Sequence, residues 1–125
     1  MVKINANGEK VWDKTFGGII KNLLNSMIAT SDGGFLLGGS SDSPISGNKT
    51  AGKYGSYDYW VVKINANGEK VWDKAFGGSD GDFLSSMIAT SDGGFLLGGY
   101  SFSPISGNKT ATNYGDSDYW VVKIK

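Results

Sequence analysis

The sequence predicts an all-β fold made of four-stranded antiparallel sheets used twice and stacked face to face, and three observations predict it. The chain repeats itself: residues n and n+60, compared over positions 2–60, are identical at 46 of 59 positions. Self-similarity of that strength at a fixed period marks a fold built from one structural unit used again. The decapeptide "NANGEKVWDK" recurs letter for letter at 5–14 and 65–74. Twenty glycines accompany 6 Phe, 6 Tyr and 4 Trp, a mixture that suits short strands and tight turns rather than a polar low-complexity tract. Large apolar residues also recur at period two, with Trp60, Val62 and Ile64 in one register and Trp72 and Phe76 in another.

Each element follows from local chemistry. Residues 85–92 ("SSMIATSD") and 93–100 ("GGFLLGGY") read as the first two strands of a unit, meeting at Asp92-Gly93, a pair suited to a two-residue turn with positive φ. Residues 58–64 ("DYWVVKI") and 69–76 ("EKVWDKAF") read as the third and fourth. They join through "NANG" at 65–68, where Asn and Gly tolerate left-handed backbone. Residues 118–124 repeat the third strand, residues 9–16 repeat the fourth, and residues 2–4 repeat the end of the third.

Both registers of these strands carry apolar residues: Tyr59 and Val61 oppose Trp60 and Val62, and Val71 and Ala75 oppose Trp72. A sheet that is apolar on both faces needs a neighbour on both faces. Four antiparallel strands per repeat, in near-identical stacked sheets, describe blades of a β-propeller. The chain is then one propeller unit over 1–125, with repeat 1 at 2–61, repeat 2 at 62–121 and a partial strand at 122–125. Two blades cannot close a ring, so copies of the chain are expected to complete it as a homo-oligomer. Each would lend its N-terminal fourth strand to a neighbour's last blade, and a trimer of six blades is favoured over a tetramer of eight. Residues 2–4 and 122–124 compete for one position, so one of them is expected to be displaced. The chain begins in mid-repeat and is expected to be a unit excised from a longer array, or an engineered one.

"KINANGEKVWDKAF" resembles the hairpin of PQQ-type propeller repeats, in which a tryptophan after a Gly turn docks on the next blade, a role that falls to Trp12 and Trp72. "MIATSDGGFLLGGYS" is similar to the hairpin of kelch-type blades, including the double glycine at Gly98-Gly99. The whole unit resembles roughly 60-residue propeller repeats of bacterial secreted and surface proteins. That likeness implies a secreted or cell-surface parent, although this chain carries no signal peptide. It implies no cofactor, because the residues a PQQ enzyme uses to hold its cofactor and calcium have no match here.

Composition removes several function classes. The chain has no cysteine and no histidine, which excludes thiolate and imidazole catalysis and Cys- or His-ligated metals. All 12 cations are lysines, balanced by 12 carboxylates. There is thus no basic field and no guanidinium fork for a phosphate backbone, and no nucleic-acid partner is expected. No apolar run reaches the length of a membrane span.

Propeller geometry puts the tight turns on one face and the longer connections on the other, and 12 of the 13 differences between the copies, all except Thr15 against Ala75, fall toward the face of the longer connections. The loop at 48–54 offers Asn48, Lys49, Thr50 and Tyr54, repeated as Asn108, Lys109, Thr110 and Tyr114. Amide, ammonium and hydroxyl groups beside a ring suit a sugar, and repetition would make binding multivalent. The competing expectation is that the same polar groups bond their own loop. Asp80, Asp82, Asp116 and Asp118 resemble pieces of a calcium loop but lack its spacing, and no metal site is expected. Asp58 and Asp118 read as caps leading into the third strand. The four tryptophans, Trp12, Trp60, Trp72 and Trp120, read as packing between blades. The leading expectation is non-catalytic, lectin-like binding or adhesion to carbohydrate or extracellular protein. The runner-up is a purely structural self-assembling unit, and a glycoside hydrolase using Asp116 and Asp118 is a minor third.

Overall fold

A computed structural model describes residues 1–125. The chain is all-β, with nine strands and no helix. An N-terminal hairpin pairs β1 (Val2–Ile4) with β2 (Lys10–Asp13). A four-stranded sheet follows, in the order β3 (Asn22–Ala29), β4 (Phe35–Ser41), β5 (Asp58–Ile64), β6 (Lys70–Phe76). A three-stranded sheet then runs β7 (Asp82–Ala89), β8 (Phe95–Ser101), β9 (Asp118–Ile124). Every neighbouring pair is antiparallel and adjacent in sequence.

The strands over 58–64 and 118–124 lie where the alternation predicts. The first strand of each repeat does not: β7 begins at Asp82 and ends at Ala89, three residues before the expected 85–92. The connection to β8 is correspondingly longer, running from Thr90 to Gly94. Side chains build it. Thr90 Oγ1 and Gly94 N both donate to Asp92 Oδ1, at 2.5 and 3.1 Å, and Gly93 takes φ +84°. A Thr and an Asp that bond the backbone in a turn end the strand before its hydrophobic pattern does. At the other end, a bulge at Ser85 lets Asp82–Leu84 join the ladder against Gly99–Ser101. Residues 65–68 form the expected turn, closed by Asn65 Oδ1 accepting from the amides of Asn67 and Glu69.

The four-stranded sheet is apolar on both faces. Leu36, Tyr59 and Val61 pack with Leu84, Met87, Leu97 and Trp120 of the three-stranded sheet, flanked by Trp72 and Phe76. The opposite register, Leu37, Trp60, Val62 and Ile64, packs against Met1, Trp12 and Phe16 of the N-terminal segment. Burial of this kind contributes about 25 cal/mol per Å² of apolar surface removed from water. Pairing is conserved with the spacing: β1–β2 aligns Val2 with Asp13 and Lys3 with Trp12, and β5–β6 aligns Val62 with Asp73 and Lys63 with Trp72. Both pairs even share a register shift before the isoleucine, Ile4 or Ile64.

Candidate functional site

Several of the loop residues singled out from sequence bond within the chain. Lys49 is buried, its Nζ donating to Ala51 O and Gly52 O at 2.7 and 3.1 Å and lying 6.0 Å from the centre of the Trp60 ring. Burial pushes its ammonium below the ordinary lysine range, against the opposing pull of Asp58 and Asp73. Lys109 is buried in the same way, donating to Ala111 O at 2.8 Å over the Trp120 ring. Both lysines are buried in the single chain and spend their ammonium groups on their own loops. Asn48 accepts from Gly17 N and donates to Thr15 O; Asn108 accepts from Gly77 N and donates to Ala75 O, at 2.8 and 3.0 Å. Each amide thus ties its loop to the strand segment of the preceding sheet. Thr50 is held by Asp73, Tyr54 by its amide on Asp58. Thr110 and Tyr114 remain exposed, Tyr114 at 88%.

Asp73 on β6 is the polar centre of the four-stranded sheet. Its carboxylate accepts from Thr50 N, Thr50 Oγ1, Ala51 N, Trp60 Nε1 at 3.0 Å and Lys70 Nζ at 2.9 Å. Burial opposes the charge, but the donors from Thr50, Lys70, Trp60 and Ala51 outweigh it and hold the carboxyl well below the usual range. The three-stranded sheet has no fourth strand beside β9. There Thr110 N, Ala111 N and Trp120 Nε1 donate to nothing within the chain.

A pair of buried carboxylates, Asp58 and Asp82, sits where the two sheets meet. Asp82 accepts from Ser101 Oγ, Ser103 Oγ and Gly78 N. Asp58 accepts from Tyr54 N through Oδ2, while its buried Oδ1 has no partner. Gly77 passes between them, and a Cβ there would lie 2.1 Å from Asp58 Oδ1 and 2.8 Å from Asp82 Oδ2. Burial, reinforced by the Asp82 charge and only partly offset by the Tyr54 amide, pushes Asp58 up to about 6. A raised acid stabilises the fold when protonated. Its contribution is complete below the unfolded value of 3.8 and is lost as pH rises through about 6. Asp58→Asn keeps the Tyr54 bond and removes the buried charge. The variant is expected to match the parent near pH 4 and to exceed it by roughly 1–2 kcal/mol at pH 7–8. Urea unfolding of both proteins across that range checks this, and parallel stability curves would refute it.

The exposed apolar surface includes the far face of the three-stranded sheet, part of the outer face of the four-stranded sheet and an aromatic patch. On the far face of the three-stranded sheet, Tyr119 is 95% and Val121 61% exposed, whereas their counterparts Tyr59 and Val61 are 0% exposed between the sheets. On the outer face of the four-stranded sheet, Leu24 and Met27 are 51% and 54% exposed, against 0% and 3% for Leu84 and Met87. That face carries a cavity of about 170 Å³ lined by Met1, Phe16, Leu24, Leu37, Trp60 and Val62. The patch gathers Tyr57, Phe83, Tyr100 and Phe102, with Phe83 centred 5.1 Å from Tyr57 and 5.2 Å from Tyr100. Ser56, Asp80 and Asp116 border it at Phe83 and Phe102. Sequence reasoning passed over it, although the signal existed. All four rings, and all three bordering residues, stand at positions where the two copies differ.

No protein-family description and no curated protein matches this chain. No helix is long and apolar enough to cross a membrane.

Proposed function

We propose that this chain is a self-associating segment of a β-propeller, two blades long, whose working site is its pair of open faces. The observation that carries the reading is the contrast just described. The residues on the two outer faces are, position by position, the residues that the chain packs between its own sheets; Tyr119, Val121, Leu24 and Met27 are open to solvent, while Leu37 and Trp60 lie under Met1, Trp12 and Phe16 of the N-terminal segment. The outer face of the second blade (Leu96, Tyr119, Val121) repeats Leu36, Tyr59 and Val61. The outer face of the first blade (Leu24, Met27, Leu37, Trp60) repeats Leu84, Met87, Leu97 and Trp120. Inside the chain Tyr59 Oη donates to Trp120 O at 2.8 Å and its ring lies 4.8 Å from the Trp120 ring. Tyr119 of one copy therefore finds in Trp60 of the next the same partner. The contact is head-to-tail, so it grows into a closed ring when the rotation per copy allows and into a filament when it does not.

Gly98 supplies the test. A Cβ on its counterpart Gly38 would meet Met87 Sδ at 2.4 Å and Leu84 Cδ2 at 2.5 Å, whereas a Cβ on Gly98 meets nothing closer than Ser86 O at 3.9 Å. Light scattering is expected to give a whole-number multiple of the 13.2 kDa chain mass. Gly98→Leu is expected to leave each chain folded and to return the mass to a single chain. A parent that stays monomeric at high-micromolar concentration would end this reading.

The aromatic patch favours a second one, carbohydrate binding on the loop face. Sugar C–H faces stack on exposed rings such as Tyr100 and Phe102, each 42% exposed, and Asp80 and Asp116 are placed to accept sugar hydroxyls. Phe102→Ala is expected to abolish any glycan-array signal without changing the oligomer. A signal that survives that change would move the site elsewhere.

A further inference from the structure

We propose that assembly proceeds by strand donation: β9 of one copy displaces β1 from β2 of another, and Asp13 on that β2 becomes the acceptor for Thr110, Ala111 and Trp120. This rests on the self-association reading and names its chemistry.

Asp73 shows what the second blade needs. In the first blade one buried carboxylate on the fourth strand collects the Thr50 and Ala51 amides, the Thr50 hydroxyl and the Trp60 indole N–H. In the second blade Thr110, Ala111 and Trp120 present the same donors, and the loop holding them has the same bonds: Ser106 N to Lys109 O at 3.2 Å and Lys109 Nζ to Ala111 O at 2.8 Å. The donor set is therefore already formed around an absent carboxylate strand.

Asp13 is the residue of this chain that fits it. It occupies the Asp73 position of the repeat, stands on β2 with its side chain 63% exposed, and meets only Lys10 Nζ at 3.4 Å. Lys10 in turn is the counterpart of Lys70, which bonds Asn48 O and Asp73 Oδ1 in the first blade. A donated β2 would therefore bring both the carboxylate and the lysine that completes its cluster.

The exchange requires no change of register. β1–β2 pairing reproduces β5–β6 pairing with every number lowered by 60, including the shift before the isoleucine. The N-terminal partner of β2 runs only from Met1, whose amine and carbonyl bond Lys14 O and N at 2.8 and 2.9 Å, to Ile4, and leaves Val2 and Ile4 60% and 59% exposed, so it holds β2 by a shorter ladder than β5 gives β6. β9 offers seven residues, and its counterpart β5 pairs with β6 from Tyr59 to Ile64. A longer strand in the same register replaces a shorter one, gaining ladder hydrogen bonds and the Asp13 cluster together.

Two variants of the full chain separate this mechanism from docking alone. Asp13→Ala changes an exposed residue and is expected to leave single-chain thermal stability unaltered while weakening assembly at least tenfold in sedimentation. Lys3→Pro loosens β1 from β2 and is expected to strengthen assembly, the opposite of what loss of a structural strand would do. Hydrogen exchange gives the direct readout. In the parent, the Thr110 and Ala111 amides and the Trp120 indole N–H are expected to become protected as concentration rises, and in Asp13→Ala they remain fast. If the parent assembles but Asp13→Ala assembles equally well with these protons unprotected in both, strand donation is wrong and face-to-face docking survives. If the parent never assembles, both are wrong.

Discussion

Asp73→Ala is expected to destabilise the chain by about 3–5 kcal/mol. The figure follows from leaving the part-buried Ala51 amide and Trp60 indole without their acceptor, at about 1–3 kcal/mol for each group kept from water, with a smaller loss at the exposed Thr50 amide and hydroxyl. Lys70 loses its counter-charge as well. Domains of this size hold about 5–15 kcal/mol in total, so the change removes a large share, and a fall in Tm of roughly 10–20 °C is expected by calorimetry. Asp73→Asn, which keeps acceptor capacity without charge, is expected to cost about half as much. The sign with pH is opposite to that of Asp58. A lowered carboxyl stabilises above its unfolded value of 3.8, and its contribution fades as pH falls below that value. Asp13→Ala serves as an internal control, being the same residue in the same repeat position with its donors absent in the single chain. Equal losses in the two variants would show that the cluster around Asp73 carries no energy of its own.

Gly39→Ala is the second large effect. Gly39 stands opposite Leu24 on β3 and Trp60 on β5, where the bulge at Asn25 draws the neighbouring strand close. A Cβ at Gly39 would lie 1.7 Å from Leu23 O and 3.0 Å from Leu24 Cα. Both are backbone atoms shared by the ladder, so the clash cannot be relieved by turning a side chain. A loss of at least about 3 kcal/mol, or failure to fold, is expected. Gly52→Ala, with nothing within 4 Å of its Cβ, is expected to be neutral. Soluble yield and circular dichroism of the two variants check the contrast. A Gly39→Ala protein melting within a few degrees of the parent would show that β3 and β4 can separate at the bulge.

The strands were legible because their causes are local. Alternation in "DYWVVKI" defines β5 and β9 to the residue, and apolar residues in both registers foretell a sheet covered on both sides. The start of β7 was not legible. A bulge at Ser85 and a turn tied by Thr90 and Asp92 shift the strand three residues against its hydrophobic pattern, and neither feature has a period. The partners of the loop residues were not legible for a related reason. Asn48, Lys49 and Thr50 look like solvent-facing ligands from composition, but their partners lie 2 to 33 residues away at Ala51, Asp73 and Thr15. The aromatic patch was overlooked because Tyr57, Phe83, Tyr100 and Phe102 come from three separate segments that only the packing of two sheets brings together.

By itself the sequence determined the all-β class, the order of the strands and their repeat, since short-range alternation and turn chemistry are properties of neighbouring residues. Which of two identical residues is buried was decided only by tertiary structure. Tyr59 and Tyr119 sit in the same heptapeptide, yet one lies between two sheets and the other in water. Burial is a property of what stands opposite a side chain, and two copies of one sequence can face different surroundings.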